Sequence, residues 1–354
     1  MGIQILAVNP GSTSTKIALY DDEKEVFRES IEHSSDDLAA FAKITDQYHM
    51  RKETITGVLK ENGVRMEHLS AVVGRGGILP PVQSGAYRVN EAMVDRLRYR
   101  PIVEHASNLG GLIAFEMAES LGIPAYIYDS VAVDELQDIA RLSGLAEAPR
   151  KSLSHALNMR AAAIYTAGEM GESYAETSFI VAHLGGGITI SLHHNGKMID
   201  IVSDDEGPFS PERSGRIPCY ELMKLCYQND QETMNKKIRG RGGLSSYLNT
   251  NSAQEVEEMI QEGNAYAELV YEAMAYQIAK GIGELATVVA GKVDRIVITG
   301  GIAHSERMTR WIKDRVTFIA PVVIVPGENE LRSLAMGVLR VLRGDETALD
   351  YEMD

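Results

Sequence analysis

The chain has 354 residues, 44% of them apolar and 24% charged, and carries a formal charge of −15. That length suits two ordinary domains with buried cores, and the acidic balance excludes a nucleic-acid or anionic-membrane binder, since both need a basic face. No apolar run reaches transmembrane length and the N-terminus enters a strand directly, so the expectation is a cytoplasmic protein with no membrane partner.

The first element is a hairpin. Apolar residues 5–8 enter the small-residue turn Asn9-Pro10-Gly11-Ser12-Thr13-Ser14-Thr15, and residues 16–20 leave it with alternating apolar side chains. A helical region is predicted over 35–62, then a strand at 71–73 that meets Gly74-Arg75-Gly76-Gly77. Residues 108–122 have helical spacing and a glycine stop before Pro124; 126–128 form a short strand ending at Asp129. An alanine-rich helix at 154–171 leads to a second hairpin, 179–192, whose turn is Leu184-Gly185-Gly186-Gly187-Ile188. Cys219 and Cys226 share one face of an amphipathic helix, where buried packing is expected rather than a disulfide or zinc site. A long helical stretch runs, with interruptions, from the capping box at Ser252 to about 289, followed by a strand at 294–299, the turn Gly300-Gly301-Ile302, a helix around Met308 and a terminal helix at 331–342. Alternating strands and helices indicate an α/β protein.

The two hairpins repeat one design, with Asn9 and His183 in equivalent places 174 residues apart. Glycine and small hydroxyl residues let backbone N–H groups approach an anion and permit positive φ, so each turn suits phosphate. A duplicated fold with one such turn per half would grip a nucleotide in the cleft between them. Neither a P-loop nor a Rossmann fingerprint occurs.

Arg75 follows a strand between glycines, and Arg213 lies on the turn-rich loop Ser210-Pro211-Glu212-Arg213-Ser214-Gly215. A guanidinium fork in either setting matches a carboxylate or phosphoryl group. Asp129, at a strand end, either orients a magnesium-bound water or the acceptor, or caps a following helix. Glu330, at the start of the last helix, suits the helix dipole. His105, His155 and His183 are further candidates, and Gly300-Gly301-Ile302 either seats a flat ligand or simply joins strand to helix.

Taken in order, these phrases resemble the acetate and butyrate kinase family of the actin-like, sugar kinase and Hsp70-like superfamily. The likeness covers nearly the whole chain and is most specific at Val8-Asn9-Pro10-Gly11-Ser12-Thr13-Ser14-Thr15-Lys16 and Val73-Gly74-Arg75-Gly76-Gly77-Ile78-Leu79-Pro80-Pro81-Val82, the second being closer to the butyrate-type members. His105-Ala106-Ser107-Asn108, Tyr128-Asp129-Ser130, His183-Leu184-Gly185-Gly186-Gly187, Arg213-Ser214-Gly215 and Asn329-Glu330 follow in family order.

The resemblance implies two related actin-like ATPase (ribonuclease H-like) domains around a central nucleotide cleft. The expected first domain is 1–150 joined by 331–354, and the second 151–330. The implied reaction is reversible transfer of a phosphoryl group between ATP and a short-chain or branched carboxylic acid such as butyrate, giving acyl phosphate and ADP in a homodimer or higher homo-oligomer. Asn9 and Glu330 are implied to place Mg²⁺; Lys16, Gly11, Ser12, His183 and Gly185 to Gly187 to line the nucleotide phosphates; and Gly300, Gly301 and Ile302 the adenosine. Arg75 and Arg213 flank the acceptor and the transferred group, with His105 near the acid and Asp129 as the active-site acid. Because a carboxylate acceptor is already ionised, Asp129 is better cast as an orienting group than as a base.

Two departures matter. Acetate kinases carry Phe-His-Gly-Thr-Ser-His where this chain has Arg150-Lys151-Ser152-Leu153-Ser154-His155, leaving Lys151 and His155 as alternatives to face the transition state. Gly77 stands where acetate kinases have a bulky aliphatic residue, which implies room for a longer acyl tail, each methylene being worth roughly 1–3 kcal/mol of discrimination. The alternatives are a sugar or other hydroxyl kinase of the same superfamily and an ATP-driven conformational switch.

Overall fold

The computed structural model describes residues 2–352. They divide into two compact units, one running to Asp134 and resuming at Asn329, the other Glu135–Glu328. The strands in chain order are β1 (Gln4–Pro10), β2 (Ser14–Asp21), β3 (Lys24–Glu32), β4 (Leu69–Arg75), β5 (Ala86–Arg88), β6 (Ala125–Tyr128), β7 (Ser178–Leu184), β8 (Ile188–His194), β9 (Lys197–Val202), β10 (Arg295–Gly300), β11 (Val322–Pro326) and β12 (Leu349–Asp350).

The first unit holds a sheet of order β12-β5-β6-β4-β1-β2-β3, and the second a sheet of order β11-β10-β7-β8-β9. In both, an antiparallel meander (β1-β2-β3 or β7-β8-β9) continues into two parallel strands (β4 and β6, or β10 and β11). The same five-stranded pattern thus occurs twice, and the first unit adds β5 and β12 at one edge. Asn9 pairs with Lys16 across the first hairpin and His183 with Thr189 across the second, each one residue short of its strand's end.

Helices cover both sheets because the inner strands are buried on both faces: residues 5–8 of β1 and 179–184 of β7 are all inaccessible or nearly so. In the first unit the helix Asn108–Leu121 buries Leu109, Leu112, Ile113 and Met117, each contributing roughly 1.5–3 kcal/mol, and ends at Gly122 in the left-handed conformation. Its approach to β4 is backbone to backbone. A Cβ on Gly74 would lie 2.0 Å from Gly110 O, and one on Gly110 would lie 2.3 Å from Arg75 O. This contact fixes the end of β4, where Arg75 stands.

Two long helical stretches are broken where side chains turn inward or cap. The region 35–62 comprises helices Ser35–Ala39 and Tyr48–Glu61 around a 3₁₀ turn, Ile44–Gln47, in which Thr45 bonds Glu104 and Gln47 accepts from Arg51. The region 252–289 breaks at Gly263, and Asn264 caps the second helix, Ala265–Ala286. The division between units falls at Asp134/Glu135 rather than at 150. Gln137 N–H donates to Ile199 O, and Arg150 pairs with Asp200 and Glu206, so residues 135–150 are tied to the second sheet. Among the described residues no helix is long and apolar enough to cross a membrane.

Candidate active site

In the first unit, three neighbouring parallel strands deliver Asn9 (β1), Arg75 (β4) and Asp129 (just after β6) to their carboxyl ends, the edge where open α/β sheets present functional groups. Glu330 joins them from the start of the helix Glu330–Arg343. Its Oε2 accepts from Asn9 Nδ2 at 2.5 Å and its Oε1 lies 2.7 Å from Arg75 Nη1. Glu330 is the first residue of its helix, in the acidic first turn expected for the dipole, but it is not the side-chain cap. That role belongs to Asn329, whose side chain accepts from Arg332 N–H. Arg75 is only 12% exposed, and its Nη1 is buried against the Glu330 carboxylate without an aligned hydrogen bond.

Asp129 is buried and adopts φ +41°, a conformation uncommon for residues with a side chain. A two-way clasp with Gly85 holds it: Gly85 N–H donates to Asp129 Oδ1 at 2.7 Å, and Asp129 N–H donates to Gly85 O at 3.1 Å. No helix begins directly after Asp129, so the capping alternative falls away. His105 is exposed just ahead of the helix Asn108–Leu121, with its Nδ1 2.8 Å from Ser107 Oγ. Lys16, Ser12 and partly exposed Gly11 sit on or beside the first turn.

Gly77 corrects the sequence reading. A Cβ there would lie 2.6 Å from Asn108 Oδ1 and 2.8 Å from Leu97 Cδ2, so protein atoms fill that direction. Asn108 Oδ1 also accepts from Ile78 N–H, and Ser130 Oγ donates to Gly77 O. The glycine is required by packing, and no room for an acyl tail opens at its side-chain position.

In the second unit, His183 lies one residue before the end of β7, paired with Thr299 of β10. Asn158 Nδ2 donates to His183 Nδ1 at 2.9 Å, which places the imidazole proton on Nε2, 3.1 Å from Glu328 Oε1. His155 stacks on His183 with ring centroids 4.0 Å apart, and its Nδ1 lies 3.0 Å from Thr189 Oγ1. Lys151 is exposed. Of the two alternatives, His155 is the one joined to the glycine turn.

That turn uses glycine for close approach rather than for unusual φ. None of Gly185, Gly186 and Gly187 has positive φ. A Cβ on Gly187 would lie 2.4 Å from Arg213 Nη1, and one on Gly185 would lie 3.0 Å from Glu328 Oε1. Arg213 thus lies flat against the turn. Asp204 pairs with both Arg213 and Arg239, and Ser210 N–H donates to Arg213 O. Burial, and then the charge of Arg239, holds the Arg213 guanidinium below its ordinary pKa.

At the end of β10, Gly300 has φ +93° and exchanges hydrogen bonds with Gly327, while a Cβ on it would strike the Leu184 backbone. Gly301 faces open space and Ile302 is half-buried in the short turn Gly301–His304. Bare backbone is accordingly presented beside the glycine turn. Cys219 and Cys226, expected to pack inward, are both exposed on the helix Cys219–Gln228, which buries none of its residues.

Residues missed in the sequence are Asn158, Asp204, Glu328 and Arg51. Asp204 lies in the acidic run Asp204-Asp205-Glu206 before Gly207-Pro208, a visible signal. Asn158 and Arg51 carry no local signal within their helices, and only their partners reveal them.

Comparison with known proteins follows the same lines. The model of the acetokinase family matches residues 153–318. Butyrate kinase 1 of Clostridium acetobutylicum is 48% identical over 99% of both chains, and butyrate kinase 2 of the same organism is 49% identical over 99% of this chain and 100% of its own. The crystal structure of Porphyromonas gingivalis acetate kinase superposes with a TM-score of 0.81 over 96% of this chain and 100% of its own, at 19% identity, which establishes the shared actin-like ATPase fold. The chain belongs to the acetokinase family, alongside these two butyrate kinases.

Proposed function

We infer that this chain is a butyrate kinase. It transfers the γ-phosphoryl group of ATP to the carboxylate of butyrate or a similar short-chain or branched acid, giving acyl phosphate and ADP, and runs equally in reverse. The bond from phosphorus to the β,γ-bridging oxygen breaks as the bond from phosphorus to the carboxylate oxygen forms. No proton is removed from the acid, which is ionised at neutral pH.

The observation that supports this reading beyond family membership is Arg75, placed at the end of β4 between glycines and ion-paired with Glu330 at 2.7 Å. A hydroxyl acceptor would have no use for that guanidinium, and would need a base that a carboxylate acceptor does not. In the proposed assignment Arg75 holds the acid, with His105 nearby, and Asp129 orients. Lys16, Gly11, Ser12, His183, Gly185, Gly186 and Gly187 are assigned to the nucleotide phosphates. Gly300, Gly301 and Ile302 take the adenosine. Arg213 meets the charge that spreads over the equatorial oxygens in a loose transition state, and His155 supports the turn beside it.

Asn9 and Glu330 fit Mg²⁺: each side chain carries a hard oxygen donor, and the two meet through the Asn9 Nδ2 to Glu330 Oε2 hydrogen bond beside Arg75. When bound, the ion would neutralise charge on the β- and γ-phosphates. The proposal includes a cytoplasmic homo-oligomer.

Trapping with hydroxylamine tests the assignment. ATP, Mg²⁺ and butyrate should yield a hydroxamate, and a panel of linear and branched C2 to C6 acids orders the acceptors. Absence of hydroxamate with every acid, alongside ADP formation with sugars or with no acceptor, would overturn it.

A further inference from the structure

Arg51, on the helix Tyr48–Glu61, is fully buried, and among the described residues its bonded partners include no carboxylate. Its Nη1 donates to Gly11 O (2.8 Å), Ser14 O (3.0 Å) and Thr15 Oγ1 (3.1 Å), and its Nη2 donates to Ser12 O (3.0 Å) and Gln47 Oε1 (2.9 Å). All five acceptors are neutral, and four belong to the first hairpin turn. In a trans peptide the N–H points opposite to the preceding carbonyl. Drawing the carbonyls of Gly11 and Ser12 inward therefore aims the N–H groups of Ser12 and Thr13 outward. Among the described residues neither amide has an acceptor, and both residues are exposed.

We propose that Arg51 is a positioning residue for the nucleotide: its guanidinium sets the peptide orientation of the turn and places an unneutralised positive charge directly beneath the phosphate-facing amides. The proposal rests on reading this turn as a phosphate site. A buried charge without a counter-ion is costly to fold, and a bound polyanion is the group whose attraction it would serve. Burial lowers the Arg51 pKa to about 10, which leaves it charged at neutral pH. His33, whose Nε2 lies 2.8 Å from Thr15 Oγ1, registers that charge: burial and then Arg51 push its pKa down.

The test compares ATP and adenosine binding by calorimetry in wild type, Arg51→Lys and Arg51→Gln, with folding checked by thermal melting. Lysine keeps the charge without the fork, and glutamine keeps a donor without the charge. ATP affinity should fall roughly tenfold in Arg51→Lys and roughly a hundredfold in Arg51→Gln, adenosine affinity and the KM for butyrate staying within about twofold. Unchanged ATP affinity, or equal weakening of ATP and adenosine, would overturn the proposal. Amide NMR of the wild-type protein keeps the two readings apart and serves if neither variant folds. Ser12 and Thr13 resonances that do not move with ATP would sink the phosphate reading of the turn and Arg51 with it. Resonances that move in wild type, with ATP affinity intact in Arg51→Lys, would sink Arg51 alone.

Discussion

The two hairpins share strand order and antiparallel pairing, with four residues between the last paired positions in the first and three in the second, but each brings a cation to its turn by a different route. At the first turn the guanidinium of Arg51 lies inside the protein and grips carbonyls; at the second, Arg213 lies against the face of Gly187 and is held by Asp204. A charge bonded to backbone beneath a turn cannot follow a moving phosphoryl group, whereas a side chain lying over a glycine can strengthen its contact as charge develops. On the proposed assignment, the first turn is suited to holding phosphate and the second to assisting transfer.

The largest effect should come from the transfer side. Arg213→Ala is expected to lower kcat by about 10³-fold with little change in KM for either substrate, the range for removing a transition-state cation or oxyanion donor. Steady-state hydroxamate assays in both substrates check this. A change confined to KM for ATP would place Arg213 on the holding side and erase the contrast. Arg75→Ala should reduce kcat/KM for butyrate by about 10²-fold, in line with losing about 2–3 kcal/mol from a charge-assisted hydrogen bond, while KM for ATP moves little. Unchanged kcat/KM for the acid would refute the placement of butyrate at Arg75.

A smaller and more local test concerns glycine itself. Gly187→Ala should displace the Arg213 guanidinium and cost kcat roughly tenfold, because a Cβ there would lie 2.4 Å from Nη1. Gly301→Ala, whose Cβ would enter open space, should leave kcat within about twofold. Its effect would be read in KM for ATP, if the added methyl meets the adenosine. Equal kcat losses in both variants would show that the glycine turn does not act through Arg213.

Much of this was legible in the chain. Periodicity found both hairpins, the helix Asn108–Leu121 and the terminal helix, because each pairs a regular apolar pattern with a strong stop: Gly122, Gly344 or a small-residue turn. Asn9, Arg75 and Asp129 were legible because they follow buried strands directly. What escaped depends on contacts between residues far apart in sequence. Arg51 reads as one more charge on a polar helix until the turn 40 residues earlier folds over it. Gly77 reads as vacant space, and only the packing of Asn108 and Leu97 shows that the space is filled. The helix at 35–62 looked continuous because nothing local reveals that Gln47 must turn to meet Arg51.

The smallest prediction extends the comparison to a buried histidine beside each hairpin. His33, by the first turn, and His193, on β8, both prefer the neutral state. For His193 the cause is complete burial and then the charge of Arg160, which hold its pKa at about 3; its ring nitrogens meet Tyr174 OH and Ser191 Oγ, both at 2.7 Å. Its ordinary value is near 6.5, so between pH 6.5 and about 3 the unfolded chain binds a proton that the folded chain refuses. Stability is thus fully present above pH 6.5 and is lost as pH falls through that window, at no more than about 1.4 kcal/mol per unit. Between pH 7.5 and 5.5 His193 should contribute a loss of about 1.4 kcal/mol, which His193→Gln removes. Urea melts of both proteins at the two pH values measure it, read through a probe in the second unit. His33→Gln should flatten the curve less, since His33 is not fully buried. A larger effect from His33 would mean that the charge of Arg51 reaches further through the first hairpin than its bonded partners indicate.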